Sequence, residues 1–181
     1  NPSDAAWQAL VEELLASPHH AERLATHWFD LVRFADSIGI HGDNPWNVWP
    51  YRDWVLDAFR SNKPFDEFTV EQLAGDLLPG ATRAQPLASG FHRNHMHNGE
   101  GGRIAEETRV ENVFDRVETT ATIWLAATFN CCRCHDHKYD PLAQRDYFAL
   151  YDIFNQMSET GAGRGGQAAP ALDFSTPAET A

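Results

Sequence analysis

The sequence is poor in basic residues. It contains 14 lysine and arginine residues against 26 aspartate and glutamate residues, which gives a formal net charge of −12 at pH 7. This balance argues against binding to nucleic acid and to anionic membrane surfaces, because both attract basic proteins. No run of 18 or more apolar residues occurs, so no segment is predicted to span a membrane. The acidic composition suits a domain that meets water or a basic partner.

No stretch alternates strongly between apolar and polar residues with a period of two, so few strands or none are expected. Apolar residues instead recur every three or four positions, which predicts a mainly α fold: a single domain of about six helices with long ordered loops. The 43% hydrophobic content is enough for one core. Charged residues inside the longest helix, Arg116 among them, are expected to be solvated or paired along the helix. The predicted helices are residues 4–16, 19–37, 51–61, 69–78, 83–97, 104–128 and 143–155.

The C-terminal segment differs in composition from the rest of the chain. Residues 158–181 are rich in glycine, alanine, serine and proline, which predicts a flexible linker or tail after a helical domain of residues 1–157. The sequence begins at Asn1-Pro2 without methionine, so we expect a fragment of a longer protein without its targeting segment.

Cysteine is scarce and lies in one place. The three cysteines all fall in Cys131-Cys132-Arg133-Cys134-His135, too few for a disulfide scaffold. Cys131, Cys134 and His135 match Cys-x-x-Cys-His, the attachment pattern of a c-type haem. Two thiols at this spacing can bond to the two vinyl groups of one porphyrin, and the histidine can supply the proximal imidazole to iron.

Two other interpretations of this stretch remain open at this stage. Cys131, Cys132, Cys134, His135 and His137 could hold zinc, although zinc sites usually bring a second ligand pair from further along the chain. A redox Cys-x-x-Cys is also possible, but the βαβ context of thioredoxin-like proteins is missing nearby.

The segment before the longest helix holds the best candidates for a second iron ligand. Six-coordinate haem iron usually takes methionine or histidine on its distal face. His92 and Met96 are four residues apart, so they share one face of the predicted helix 83–97. His95 would point elsewhere on that helix.

These motifs together resemble the planctomycete-type cytochrome c domain, an uncharacterised haem c domain of large exported multidomain proteins. The similarity covers about residues 20–156, in the right order throughout. The matching stretches are residues 27–37, 47–54 with Trp49-Pro50-Tyr51-Arg52-Asp53-Trp54, 63–66, 71–79, Gly90-Phe91-His92-Arg93-Asn94, Glu100-Gly101-Gly102, 115–117, 119–120 and 131–141.

The resemblance implies one covalent haem c, around which the helical domain would wrap, and a periplasmic or otherwise exported location. Cys131 and Cys134 fall on the family's attachment cysteines, and His135 falls on its proximal histidine. The other positions divide into matches and departures. His92, Met96, His137 and Lys138 match the family, whereas His95, His97 and Cys132 depart from it. His137 lies only two residues past the proximal histidine and cannot easily reach the opposite face of the haem, so we expect it at a propionate, at the backbone or behind a ligand, with a structural role equally open. Lys138 is expected behind a ligand.

Three functions follow from these observations, and single-electron transfer to a redox partner domain or protein is favoured. An open distal site would instead allow a haem enzyme or gas-binding domain, with His92, His95 or Arg93 acting on the bound ligand. The third is a structural module stabilised by zinc. An electron-transfer domain is favoured over a catalyst.

Overall fold

The regular secondary structure of the described residues is helical. The computed structural model describes residues 3–40, 42–161 and 171–172. Within these residues it contains seven α-helices, three short 3₁₀ helices and no strand, which confirms the predicted mainly α class. The α-helices are α1 (Asp4–Ala16), α2 (Pro18–Leu31), α3 (Trp49–Arg60), α4 (Phe65–Ala74), α5 (Ala84–Ala88), α6 (Ala105–Leu125) and α7 (Gln144–Asn155), and the 3₁₀ helices are Gly75–Leu77, Ser89–Arg93 and Phe129–Arg133.

Four of the predicted helices are confirmed closely: those observed as α1, α3, α6 and α7. The Ser3 side chain accepts a hydrogen bond from the backbone N–H of Ala6 and caps α1, as expected for serine at a helix start. Helix α6 ends at Leu125, because Ala126 adopts a left-handed φ of 51°. The chain therefore leaves α6 a few residues before the cysteines.

Three other predicted helices are wrong in extent. The helix predicted to reach residue 37 ends at Leu31, and Arg33 then has a φ of 59°. The helix predicted at 69–78 instead begins at Phe65 and ends at Ala74, with Pro64 as its N-cap. The segment 83–97 forms the short α5 and a 3₁₀ helix that ends at Arg93. His92 and Met96 therefore do not share a helical face.

The described residues group into two compact units. The first combines residues 3–36 and 47–94, and the indole Nε1–H of Trp28 donates there to Tyr51 Oη at 3.2 Å and to Gln72 Oε1 at 3.1 Å. Tyr51 donates to the same Gln72 oxygen at 2.7 Å, and burial raises the pKa of Tyr51 well above its ordinary value. Buried polar groups need such partners, so this network fixes how α2, α3 and α4 pack.

The second unit combines residues 37–40, 42–46 and the described residues from 95 onward. One side of α6 packs on α7 and on the turn that holds the cysteines. The core cluster contains Val113, Val117, Ala121, Phe129, Cys132, Tyr147 and Phe154. The three α6 members recur every four residues, as expected of one buried stripe.

The predicted tail lies mostly outside the described residues, which leave out 162–170 and 173–181. Just past the predicted domain end at residue 157, Glu159 and Gly161 are buried. The guanidinium of Arg103 donates to the carbonyl oxygen of Gly161. The domain boundary and the flexible tail stay predictions.

We expect Gly75→Ala to destabilise the first unit, because a Cβ at Gly75 would lie 2.1 Å from the carbonyl oxygen of Gln85. The backbone at Gly75 has ordinary helical angles, so the cost is steric and should be about 1–3 kcal/mol. Gly101→Ala is the matched control, since nothing lies within 4 Å of its Cβ position. Thermal unfolding of the two variants compares them, and equal midpoints would refute this packing.

Candidate functional site

The Cys-x-x-Cys-His segment lies in a helical turn that follows α6. A 3₁₀ helix covers Phe129–Arg133, and the backbone N–H groups of Cys134 and His135 both approach the carbonyl oxygen of Cys131, at 3.3 and 3.4 Å. Residues three apart in such a turn lie on the same side of it. Cys131 is half-buried and Cys134 is exposed. The two thiols predicted to attach a haem therefore share one outward side of the turn.

Cys132 has the opposite environment. Its side chain is 0% exposed and belongs to the core cluster beside Phe129 and Tyr147. Its Sγ donates to the carbonyl oxygen of Leu142 at 3.5 Å. Burial raises the pKa of the Cys132 thiol, and a thiol held in its protonated form is a poor nucleophile and a poor metal ligand. The role of this extra cysteine is therefore packing in the core of the second unit.

His135 is exposed, next to Cys134, and its ring is already oriented by the backbone. Its Nδ1–H donates to the carbonyl oxygen of Asp136 at 2.7 Å. In that tautomer Nε2 carries the lone pair, which is the form in which histidine binds a metal. Two thiols on one side of a turn, followed by a histidine with Nε2 as its acceptor, fit the donor set of a c-type haem.

His137 stabilises the loop that follows the motif. Its Nδ1 lies 2.9 Å from the backbone nitrogen of Asp140 and 3.3 Å from that of Tyr139. The backbone N–H of His137 donates to the carbonyl oxygen of Leu142 at 2.8 Å. Lys138 is exposed, with Nζ 5.1 Å from the centre of the Tyr139 ring. Of the roles left open for His137, the structure favours backbone support, and a role of Lys138 behind a ligand stays a prediction.

The turn is anchored at both ends to neighbouring helices. Asp136 Oδ1 accepts from the backbone N–H of Gln144 at the start of α7, at 2.8 Å. The Gln144 side chain donates back to the carbonyl oxygen of Arg133 at 3.2 Å. On α6, Arg133 Nη2 donates to Glu111 Oε1 at 2.8 Å. The central carbon of the same guanidinium lies 3.6 Å from the centre of the Phe114 ring. The geometry of the motif is therefore supported by side chains that do not belong to it.

The predicted distal candidates differ sharply in accessibility. His92 belongs to the first unit, is buried, and its Nε2 donates to the carbonyl oxygen of Leu73 at 3.1 Å. Met96 belongs to the second unit and is 65% exposed. His97 is buried and stacks on Trp46 with ring centres 5.6 Å apart. Of these, Met96 alone presents its potential ligand atom on an exposed side chain. His27, another histidine of the sequence, is exposed on α2, and His41 lies outside the described residues.

The segment that carries Met96 and the cysteine turn both contact α6. The turn reaches α6 through Arg133, which pairs with Glu111, and through Phe129 and Cys132, which pack in one cluster with Val113 and Val117. The other segment reaches α6 through His95, whose Nε2 accepts from Arg116 at 3.2 Å. Successive helical residues are rotated by about 100°, so Arg116 points about 140° from Glu111 but only about 60° from Val113. Met96 as the distal ligand therefore stays a prediction.

The zinc alternative would need four side chains to converge. Cys132 points into the core instead, and the Nδ1 of His137 is engaged by the backbone. Over residues 3–40, 42–161 and 171–172, no group of three His, Cys, Asp or Glu side chains is arranged to hold a metal ion. The inward position of Cys132 removes one of the three thiols on which that alternative depends.

Sequence reasoning missed a buried polar network in the second unit. Arg116 and Glu159 form an ion pair whose side chains are 1% and 2% exposed. Asn112 donates to Glu159 Oε1 at 3.1 Å, and the Nδ1 of His95 donates to the carbonyl oxygen of Met96 at 2.9 Å. The expectation that Arg116 is solvated or paired along its own helix is wrong. Its partner comes from a segment 43 residues further along the chain.

One protein family model matches this chain over residues 1–159: PSCyt2, described as a protein of unknown function (DUF1549). The chain belongs to this family. The PSCyt2 match agrees with the cytochrome-like resemblance seen in the sequence, while its description assigns neither a haem nor an activity. No curated protein and no solved structure matches the chain. Among the described residues, no helix is both long enough and apolar enough to cross a membrane.

Proposed function

We propose that this PSCyt2 domain is a mono-haem c-type cytochrome domain that transfers single electrons within or from a larger exported protein. One observation carries the proposal: Cys131 and Cys134 share one side of a turn, and His135 beside them is oriented through Nδ1 by the Asp136 carbonyl. When bound, a haem supplies an iron that gains and loses one electron. The chain would hold it by two thioethers and by His135 Nε2.

The residues around the motif would keep this arrangement rigid during electron transfer. Asp136 and Gln144 join the turn to the start of α7, and Arg133 joins it to α6. Rigid ligands limit the rearrangement that accompanies a change of charge at the metal. These contacts would hold the turn in one geometry relative to α6 and α7.

The partner and location follow from charge and from the family resemblance. The net charge of −12 favours a redox partner, domain or protein, with a basic docking surface, because opposite charges accelerate association. The resemblance implies an exported domain, in the periplasm or otherwise outside the cytoplasmic membrane. Both statements are part of the proposal.

Acid–organic extraction tests the proposal, using the full chain exported from a host that matures c-type haem. We expect the haem of the wild-type protein to stay with the polypeptide after extraction. The double variant Cys131→Ala with Cys134→Ala is the matched control, and any haem that it binds should leave with the solvent. A colourless wild-type preparation containing zinc would overturn the proposal and favour a structural module.

A second candidate, a haem domain with an open sixth position, is favoured by the burial of three histidines that could otherwise supply a distal ligand: His92, His95 and His97. An open site would bind a small gas or an oxidant at the iron. His92, His95 and His97 are buried, so none of them is presented at the surface as an acid or base for such a ligand. This candidate shares its attachment chemistry with the first.

This second candidate predicts that the reduced protein binds carbon monoxide, because no protein group would hold the sixth position of the iron. It also predicts that Met96→Ala leaves the absorption spectrum of the reduced protein unchanged. Met157, the other methionine of the chain, packs against the core cluster, and Met157→Leu serves as the control. A spectrum altered in Met96→Ala alone, with no carbon monoxide binding, would identify Met96 as the sixth ligand and contradict this expectation.

A further inference from the structure

The motif contains one thiol more than haem attachment needs. Cys131-Cys132-Arg133-Cys134 offers two different cysteines as the partner of Cys134. Attachment forms two thioethers, so one of the three thiols must be left over. The sequence pattern alone favours Cys131 but does not make Cys132 unreactive.

The fold separates these thiols by the side of the turn on which they lie. Cys131 and Cys134 are three residues apart, and the backbone N–H of Cys134 donates to the carbonyl oxygen of Cys131 at 3.3 Å. Cys132 follows one residue later, which rotates its side chain by roughly 100–120° around the turn. A flat ligand lying against the first two thiols would therefore not reach the third.

Packing and hydrogen bonding hold Cys132 in its inward position. Its side chain lies in the core cluster with Tyr147 of α7. The carbonyl oxygen of Leu142 accepts both from Cys132 Sγ, at 3.5 Å, and from the backbone N–H of His137, at 2.8 Å. Turning the thiol outward would break this shared contact and open a cavity between α6 and α7. The loop after the motif, which contains His137 and Leu142, thus also holds the Cys132 thiol in the core.

We infer that Cys132 is withheld from haem attachment by its burial, so that the thioethers form at Cys131 and Cys134 and Cys132 remains a free thiol in the mature protein. This inference rests on the proposed function. In each attachment the S–H adds across a vinyl double bond: an S–C bond forms, the π bond is lost, and the hydrogen goes to the neighbouring carbon. The step needs no oxidant and has no leaving group.

Alkylation with iodoacetamide, followed by peptide mass spectrometry, tests the inference on the full exported protein. We expect no labelled cysteine in the native protein and one, Cys132, after denaturation. The variant Cys131→Ala adds a stricter test, because Cys132 should not replace the missing thiol and the protein should carry a single thioether at Cys134. Cys132→Val, which fills the core without a thiol, should retain both thioethers.

The outcomes separate this inference from the proposed function. Labelling of Cys132 in the native protein, or a thioether at Cys132 in the wild type or in Cys131→Ala, would overturn the inference while a covalent haem remained. A haem-free native protein labelled at Cys131 and Cys134 but not at Cys132 would overturn the proposed function and uphold the burial of the third thiol.

Discussion

Glu159→Ala is expected to lower the free energy of unfolding by about 3–5 kcal/mol, because it leaves the buried guanidinium of Arg116 without its counter-charge. Both side chains of this pair are almost fully inaccessible to solvent. Asn112 and His95 also contact the pair, but neither carries a permanent negative charge. Loss of the carboxylate therefore cannot be compensated locally. Chemical denaturation of the purified domain measures the change.

A matched surface pair gives the control for this prediction. Glu106 pairs with Arg109 at 2.7 Å, but the Glu106 side chain is 68% exposed, and exposed pairs contribute little to stability. Glu106→Ala should therefore have a much smaller effect than Glu159→Ala. Replacing both buried partners, Arg116→Met with Glu159→Leu, should recover much of the loss, since apolar side chains can substitute for a buried ion pair. Equal effects of the two alanine variants would show that Glu159 is not buried against Arg116.

His135→Ala is expected to abolish the absorption spectrum of histidine-ligated haem iron while the two cysteines continue to hold the porphyrin. The substitution removes the one ring whose Nε2 the turn leaves as an acceptor next to Cys134. Thioether attachment depends on the thiols, so haem should still remain with the polypeptide after acid–organic extraction. The spectrum of the reduced protein is the measurement.

His137→Ala is the control for His135→Ala, since it removes an imidazole only two residues away. Its Nδ1 supports the backbone of Tyr139 and Asp140, so its loss should reduce stability by about 1–3 kcal/mol. The spectrum of the iron should remain that of the wild type. If His137→Ala rather than His135→Ala removed the histidine signature, the proximal assignment would be wrong.

Helix bounds were predictable where capping and apolar spacing coincide. Ser3 and the apolar spacing of residues 4–16 predict α1, and its bounds are confirmed, although none of its residues is buried. The end of α2 shows the limit, because Val32 and Ile38 continue the apolar stripe and are buried. Val32 is the C-cap of α2, and Ile38 follows the left-handed turn at Arg33, so both lie outside the helix. At this end of α2 the spacing indicates which residues are buried but not the backbone conformation that buries them.

The break in segment 83–97 depends on contacts that local sequence does not reveal. Gly90 lies so close to Tyr51 that an added Cβ would be 3.2 Å from the Tyr51 Cβ. This approach belongs to the packing of the first unit, and it falls where the α-helix has already given way to a 3₁₀ helix. His92 and Met96 therefore do not share a helical face. A 3₁₀ helix has three residues per turn rather than 3.6, and this one ends at Arg93, before Met96.

The candidate site and the buried network differ in the same respect. Cys131, Cys134 and His135 could be proposed as haem-binding residues from the sequence because that chemistry requires a local spacing, and the structure has a turn that suits it. Glu159 could not be predicted, because it lies in a glycine-rich segment with no periodic pattern. The one available signal was Arg116, a cation inside an apolar stripe, which requires a carboxylate from elsewhere in the chain.

Mass spectrometry of the peptide that contains residues 131–135, taken from the exported protein, tests the central claim most directly. The proposed attachment predicts a peptide that carries the mass of one haem, with fragment ions assigning the two thioethers to Cys131 and Cys134. The same peptide recovered with three unmodified thiols would contradict the claim that this PSCyt2 domain is a haem c domain.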